Sequence, residues 1–351
     1  VILVQGDFLE AGPLLVAERV LEVLAEPFLL PGMEHTPLVA RASIGVAVGS
    51  RPGVGDLLRD ADVALYQAKQ QGKSRYVMFE PEMQLAVQEH VALEMDLRLA
   101  LSEGQLFVEY QPVFDLGTLQ MIGVEALVRW QHPTRGLIGP DRFIPVAESS
   151  GLINAVGRFV LKESCHHAAT WASMGKPLAL AINVSGRQLQ SASLVAEIAA
   201  ALRENELDPA LLTLELTETV LLNDVERTLL RLQSLKDLGV KLAIDDFGTG
   251  YSSLSYLRRF PVDALKIDRS FISGIERSPE AHALIHTLVQ LGKTLGLTTY
   301  AEGIEDEGQL SDLQRENCDL GQGFYYSRPL SASALEALLS SQEPTGAEAR
   351  K

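Results

Sequence analysis

Eight short apolar runs between residues 106 and 322 each lead to a side chain able to hold a cation or act on a phosphate ester. In order they reach Gln111, Glu125, Asn183, Glu215, the pair Asp245 and Asp246, Lys266 with Asp268, Glu302, and Gln322. One loop carboxylate can arise by chance, but the same kind of group at the same end of run after run needs a common cause. A parallel barrel supplies it, because its strands all open their C-terminal ends onto one face, where the active sites of such barrels sit.

The apolar runs read as strands near 106–111, 120–129, 178–184, 211–216, 240–246, 263–267, 297–302 and 318–322. Period-3.6 patterns fill most gaps, notably 154–174, 187–205, 219–238 and 278–295. Such alternation favours parallel βαβ units, and eight strands closing a ring define an α/β fold, a (β/α)8 TIM-like barrel. The first pair departs from the rule. Asp115-Leu116-Gly117-Thr118 leaves too little chain between the first two strands for a helical crossover. A hairpin, and hence one antiparallel strand, is expected.

Upstream, residues 1–80 read as strand (1–5), helix (11–26), strand (39–48), helix (55–71) and strand (75–79), a partial α/β domain. Asp56 in a first turn and Gly72 after Gln71 mark the ends of its second helix. Residues 81–103 form an amphipathic linker helix with Leu85, Ala92, Met95 and Leu99 near one face, expected to pack on the barrel that follows over 104–341. The tail 342–351 is polar and expected to be flexible. The chain opens on Val1-Ile2-Leu3-Val4 without an initiator Met and reads as cut from something longer.

At 351 residues and 46% hydrophobic content the chain can bury a sizeable core, which excludes disorder as its main state. Cys165 and Cys318 stand far apart with no ligand-rich spacing beside them, so they are expected as reduced core thiols in a cytoplasmic protein. No apolar stretch reaches roughly 18 residues, and no membrane contact is expected of this chain. A net charge of -16 argues against a nucleic-acid polymer as partner. It does not oppose a small phosphorylated ligand, because bound cations reverse the local field.

Glu125, Asn183, Glu215 and Asp245 offer three carboxylates and an amide oxygen from four strands. Hard donors without His or Cys suit Mg2+ or Mn2+ better than zinc. Asp246 permits a second ion bridged by Asp245, the arrangement used for in-line displacement at phosphorus. Lys266 points the same way as Asp268 and opposite to Ile267, and Glu302 is the candidate general base. The loop Asp246-Phe247-Gly248-Thr249-Gly250-Tyr251-Ser252-Ser253 starts at these ligands, and its glycines allow close approach to a ligand. His282 and His286 share a helix face, but the zincin pattern needs Glu after the first His, where Ala283 stands, so the pair is set aside. His166-His167 reads as surface, and Trp130 and Trp171 as packing.

Two resemblances follow. Ala42-Ser43-Ile44-Gly45-Val46-Ala47 with Asp60-Ala61-Asp62-Val63-Ala64-Leu65-Tyr66-Gln67-Ala68-Lys69 resembles the C-terminal half of GGDEF domains, the diguanylate cyclase family. The signature loop that would precede it is missing here, which implies that this stretch cannot make cyclic di-GMP. Glu125-Ala126-Leu127-Val128-Arg129-Trp130, Asn183-Val184-Ser185, Glu215-Leu216-Thr217-Glu218, Asp245-Asp246-Phe247-Gly248-Thr249-Gly250, Leu265-Lys266-Ile267-Asp268, Ala301-Glu302-Gly303-Ile304-Glu305 and Gln322-Gly323-Phe324 resemble, in order, the motif set of EAL domains. The resemblance implies metal-dependent hydrolysis of cyclic di-GMP to linear pGpG. It assigns one ion to Glu125, Asn183, Glu215 and Asp245 and a second to Asp245 with Asp246, with Ca2+ binding and inhibiting. Glu302 becomes the base and Lys266 its partner. Gln111, Leu127, Arg129, Asp268 and Gln322 would contact the dinucleotide, while Glu218 and Glu305 would fix the Gly248–Gly250 loop. It also implies regulation by upstream domains and a homodimer formed through helices beside that loop. Two other readings stay open: a catalytically silent cyclic di-GMP receptor, and a Mg2+-dependent barrel lyase that stabilises an enolate.

Overall fold

The computed structural model describes residues 1–3, 11–28, 38–49, 53–70, 72–222, 224–249, 257–275 and 278–341. The chain divides into two compact units, Val1–Asp96 and Leu97–Lys351. The division falls inside the expected linker, which forms one helix over Pro81–Glu103.

In the first unit, β1 (Ile44–Val46) pairs in parallel with β2 (Tyr76–Met78), and the helix Val54–Gln70 connects them. Ala64, Ala68 and Val77 form a small buried cluster with Phe79 and Met83 against it. Gly45 is obligatory here, because a Cβ on it would stand 2.0 Å from the Ala61 carbonyl oxygen and 2.3 Å from the Leu65 nitrogen. The expected strand 39–48 shortens to β1, and residues 4 and 5 of the expected strand 1–5 lie outside the described residues.

The helix Pro81–Glu103 reverses one expectation. Leu93, Leu97 and Ala100 are buried, whereas Leu85, Met95 and Leu99 are exposed by 68%, 64% and 54%. Its apolar residues fall on two stripes, and the buried one is not the stripe that the sequence pattern favoured.

The second unit is the expected barrel. Its strands are β3 (Leu106–Asp115), β4 (Met121–His132), β6 (Ala179–Asn183), β7 (Leu212–Thr217), β8 (Lys241–Phe247), β9 (Ala264–Ile267), β10 (Thr298–Glu302) and β11 (Leu320–Gln322), with β5 (Gly136–Ile138) hooked onto the outside of β4. From β4 through β11 neighbours run parallel, and antiparallel β3 closes the ring by pairing with both β4 and β11. The hairpin turn is held by Asp115, whose Oδ1 accepts from the Gly117 and Thr118 nitrogens at 3.0 and 2.7 Å.

Antiparallel β3 corrects part of the strand-end argument. Its C-terminus points away from the mouth, and Gln111 sits midway along it, paired with Glu125, itself midway along β4. What unites the polar set is height in the barrel rather than position at a strand end.

Side chains on the outer face of the strands pack under the helical layer. Tyr110 meets Trp171 edge-on at 5.0 Å and Trp130 meets Phe143 at 5.7 Å, all fully buried. His166 is exposed as expected, but His167 is half-buried and stacks on Trp171. Both cysteines are free and buried. The helix Pro140–Ser150 adds to the helical patterns named from the sequence and holds Pro145 inside it. Among the described residues no helix is long and apolar enough to cross a membrane.

Gly323 ties the end of β11 to the turn after β10. A Cβ there would fall 2.1 Å from the Ile304 carbonyl oxygen and 2.3 Å from its nitrogen, both backbone atoms that cannot swing aside. Gly323→Ala is therefore expected to cost about 1–3 kcal/mol or more, the range for forced overpacking. A urea midpoint equal to that of the unsubstituted protein would show the approach to be looser than described.

Candidate active site

Inward-facing positions recur every second residue along a strand, which places Glu125, Leu127 and Arg129 of β4 on one side of the pleat and Tyr110 and Trp130 outside. A regular strand could not present both Asp245 and Asp246. The register of β8 against β9 slips between Ile244 and Phe247, and Asp246 takes a left-handed backbone with φ 53°. This bulge turns two consecutive carboxylates to the same side. Asp is among the residues that tolerate that conformation.

Lys266 stands at the centre of the barrel mouth, 1% exposed. Its Nζ lies 2.6 Å from Glu302 Oε1, 2.7 Å from Glu215 Oε2, 3.2 Å from Asp245 Oδ1 and 3.6 Å from Glu125 Oε2. Glu125 is held on its other flanks by amides, with Asn183 Nδ2 donating to Oε1 at 2.7 Å and Gln322 Nε2 to Oε2 at 2.6 Å. Seven strands thus bring Glu125, Asn183, Glu215, Asp245, Lys266, Glu302 and Gln322 into one connected cluster, Glu302 on β10 and Gln322 on β11 being direct neighbours.

The charges do not balance, and the protonation equilibria register it. Burial works against the Lys266 ammonium, but Glu125, Glu215, Glu302 and Asp245 outweigh it and hold the group well above the ordinary lysine range. Burial drives Glu215 well above the usual carboxylate range, with Lys266 opposing and three neighbouring carboxylates adding to the rise. Glu302 is pushed up to about 8, chiefly by burial. Glu125 goes down: burial favours its neutral form, but Lys266 and the amides of Gln322 and Asn183 together prevail. Asp246 is raised by burial and by Asp245 and Asp268.

A site with this surplus of buried negative charge fits added cations. Asp245, Asp246 and Glu302 bring ligand oxygens within 4.8 Å of one another. Gln322 Oε1 is buried and receives no hydrogen bond among the described residues, and Asp245 Oδ1, also buried, has the ion-pair approach of Lys266 Nζ at 3.2 Å without a formed hydrogen bond. The donors are all oxygens of carboxylates and amides, the set that suits hard divalent ions.

The remaining expected site residues are distributed around this centre. Arg129 Nε donates to Glu109 Oε2 at 2.8 Å across the β3–β4 hairpin, one step diagonal to its paired residue. Gln111 and Leu127 are half-buried on the same inward face. Asp268 caps the short helix Arg269–Ile272, Oδ1 accepting from Ser270 nitrogen at 3.0 Å, which leaves one oxygen for another partner. Glu218 Oε2 accepts from the Gly248 nitrogen at 3.2 Å, and Gly248 has φ 96°. Glu305 is exposed, and its backbone nitrogen donates to Gln309 Oε1 at 2.8 Å. Residues 250–256, which include the rest of the glycine loop, lie outside the described residues.

Two residues were overlooked in the sequence. Glu109 orients Arg129, and Tyr300 lies two residues before Glu302 on the same face, its phenol raised to about 12 by burial and by Glu215. The period of two, counted back from Gln111 and Glu302, was the available signal.

An eight-stranded barrel with carboxylates, a lysine and amides gathered at its mouth defines a class of barrel hydrolases and lyases. Within it, the EAL domain family matches residues 66–329, and the chain belongs to that family. It is 41% identical over 327 residues to the bifunctional diguanylate cyclase/cyclic di-GMP phosphodiesterase MucR of Pseudomonas aeruginosa, covering 92% of this chain and 47% of that protein. It is 40% identical over 328 residues to the cyclic di-GMP phosphodiesterase NbdA of the same organism, covering 93% of this chain and 42% of that protein. The structure of the PaMucR phosphodiesterase in complex with c-di-GMP superposes with a TM-score of 0.68 at 44% identity, over 70% of this chain and 99% of that one. The chain spans less than half the length of these curated relatives.

Proposed function

We propose that this chain hydrolyses one phosphodiester bond of cyclic di-GMP, giving linear pGpG. The observation that carries the reading is Lys266, buried among four carboxylates that one ammonium does not neutralise. Kinship to the MucR and NbdA phosphodiesterases supports the choice of substrate.

In this reading Glu125, Asn183, Glu215 and Asp245 hold one Mg2+ or Mn2+ ion, and Asp245 with Asp246 holds a second. Such ions, when bound, lower the pKa of water and stabilise charge on the phosphoryl oxygens. Glu302 accepts a proton from the attacking water, and Lys266 holds that carboxylate in place and offsets charge beside it. Oxygen is added to phosphorus while the proton ends on the departing ribose oxygen, so the bond opens by net addition of water. Arg129, held by Glu109, faces the phosphates, and Gln111, Leu127, Asp268 and Gln322 contact the bases and sugars. Glu218, with Glu305, steadies the loop that carries Gly248.

The first unit is read as the C-terminal part of a GGDEF-like domain, an assignment that the bifunctional relative supports. In this reading it regulates the barrel, and two copies pair through helices flanking the loop after Asp246.

With Mg2+ or Mn2+ the chain is expected to convert cyclic di-GMP to pGpG, followed by chromatography of the products. Chelation stops the reaction, and Ca2+ fills the site while slowing it. Tight binding of cyclic di-GMP with no product in any of these ions would replace the enzyme by a silent receptor. Turnover of a carboxylate substrate with the dinucleotide untouched would favour the lyase.

A further inference from the structure

A cavity with two arginines in its wall lies outside the barrel, among the helices that follow β6 and β7. Its volume is about 110 Å3. Leu189 and Gln190 line it from the helix Gly186–Gln190, Val220 from the helix Glu218–Leu222, and Asp224, Arg227 and Arg231 from the start of the helix Val225–Lys236.

Arg227 and Arg231 stand four residues apart and so share one helix face, where like charges repel. The neighbouring carboxylates do not relieve them. Glu226 is engaged by Arg259 at 2.7 Å, and Asp224, though it lines the same cavity, pairs with neither arginine. Among the described residues neither guanidinium, nor the Gln190 side-chain amide, has a hydrogen bond or ion pair. Arg231 is half-buried, and the buried Leu189 and half-buried Val220 give the cavity an apolar wall, beside which charges are screened less than in open water.

We propose that this cavity is a binding site for a phosphate group, taken up as free phosphate or as the terminal phosphate of a nucleotide. Arginine presents its N–H donors in a rigid fork that matches phosphate oxygens, and here two forks and one amide from two helices turn to a common space. The volume equals roughly three to four waters at about 30 Å3 each, which admits a phosphate group while a nucleoside stays outside. Asp224 opposes the anion, but it is exposed and its charge is screened by salt. A bound phosphate would tie the helix after Asn183 to the helix Val225–Lys236, bracing the segments that carry Asn183 and Glu218.

The test titrates the full chain with inorganic phosphate at constant ionic strength, after chelation, so that no metal at the barrel mouth recruits the anion. Binding to the folded state raises Tm by mass action, and broadening of the phosphorus NMR resonance gives the affinity. R227Q/R231Q is expected to bind at least about tenfold more weakly, the factor that one charge-assisted hydrogen bond carries. R227K/R231K keeps both charges without the forks and is expected to fall between the two. D224N removes the opposing carboxylate, keeps a residue that tolerates the left-handed backbone at φ 50°, and is expected to bind more tightly. Comparing pGpG with GpG, which lacks the terminal phosphate, separates the two sources. A larger Tm rise with pGpG than with inorganic phosphate assigns the site to nucleotides, and a smaller one to free phosphate. The choice of pGpG rests on the hydrolysis proposed above, whereas the titration with inorganic phosphate does not, so the two readings fail separately. Equal affinity in R227Q/R231Q and the unsubstituted protein, weaker binding in D224N, or no response of the unsubstituted protein to phosphate would each overturn the proposal.

Discussion

Lys266→Met should be the most damaging single substitution in the barrel. The ammonium is within ion-pairing distance of Glu125, Glu215, Asp245 and Glu302, and nothing of the methionine side chain replaces it. Breaking a buried ion pair by removing one partner costs about 3–5 kcal/mol, because the other charge stays buried and uncompensated. Here several carboxylates are left, so the cation-free protein should lose at least that much, measured as a fall in urea midpoint. Divalent ions offer the remedy. Mg2+ binding the folded state stabilises it by mass action, and with the competing ammonium gone the ions face more unneutralised charge. The variant should consequently gain more Tm per increment of Mg2+ than the unsubstituted protein. Turnover falls with it, on the order of 10²–10³-fold, the usual loss when a preorganised electrostatic group is removed. A cation-free variant as stable as the unsubstituted protein would mean that the carboxylates hold each other without Lys266, and the reading of a charge-deficient metal site would fail.

The parts legible in the sequence were those set by local chemistry. Strand β7 is Leu212-Thr213-Leu214-Glu215-Leu216-Thr217, and its position follows from composition alone. The reversal of β3 followed from the short connection at Asp115–Thr118, which no helix can bridge. Long-range geometry was less accessible. Asp245 and Asp246 share a site only because β8 bulges against β9, and the slip depends on a partner strand beginning at Ala264. The helix Pro81–Glu103 shows the same limit, since its sequence offers two apolar stripes and only packing decides that Leu97 is buried and Leu99 is not. Glu316 meets His286 across 30 residues, with no spacing rule to announce it.

Glu302→Gln separates two roles that the geometry leaves adjacent. Glu302 is the candidate base, yet its carboxylate also comes within 4.8 Å of ligand oxygens from Asp245 and Asp246. A glutamine keeps the shape, the carbonyl oxygen and the 3.4 Å approach of Gln322, but it cannot accept a proton from water. If Glu302 acts as the base, kcat should drop by about 10²–10⁴-fold, the span attributed to general acid–base catalysis. KM for cyclic di-GMP and the Mn2+ concentration needed for half-maximal rate would hold steady. If it is instead a metal ligand, the Mn2+ requirement should rise by at least about tenfold, and saturating Mn2+ should restore most of the rate. Measuring kcat across a Mn2+ titration distinguishes the two. A kcat loss of less than about tenfold at saturating metal would remove Glu302 as the base, since that corresponds to only about 1.4 kcal/mol of barrier. The proton would then need another acceptor, and the lone inward neighbour on β10, Tyr300, with a phenol raised to about 12, is poorly suited to take it.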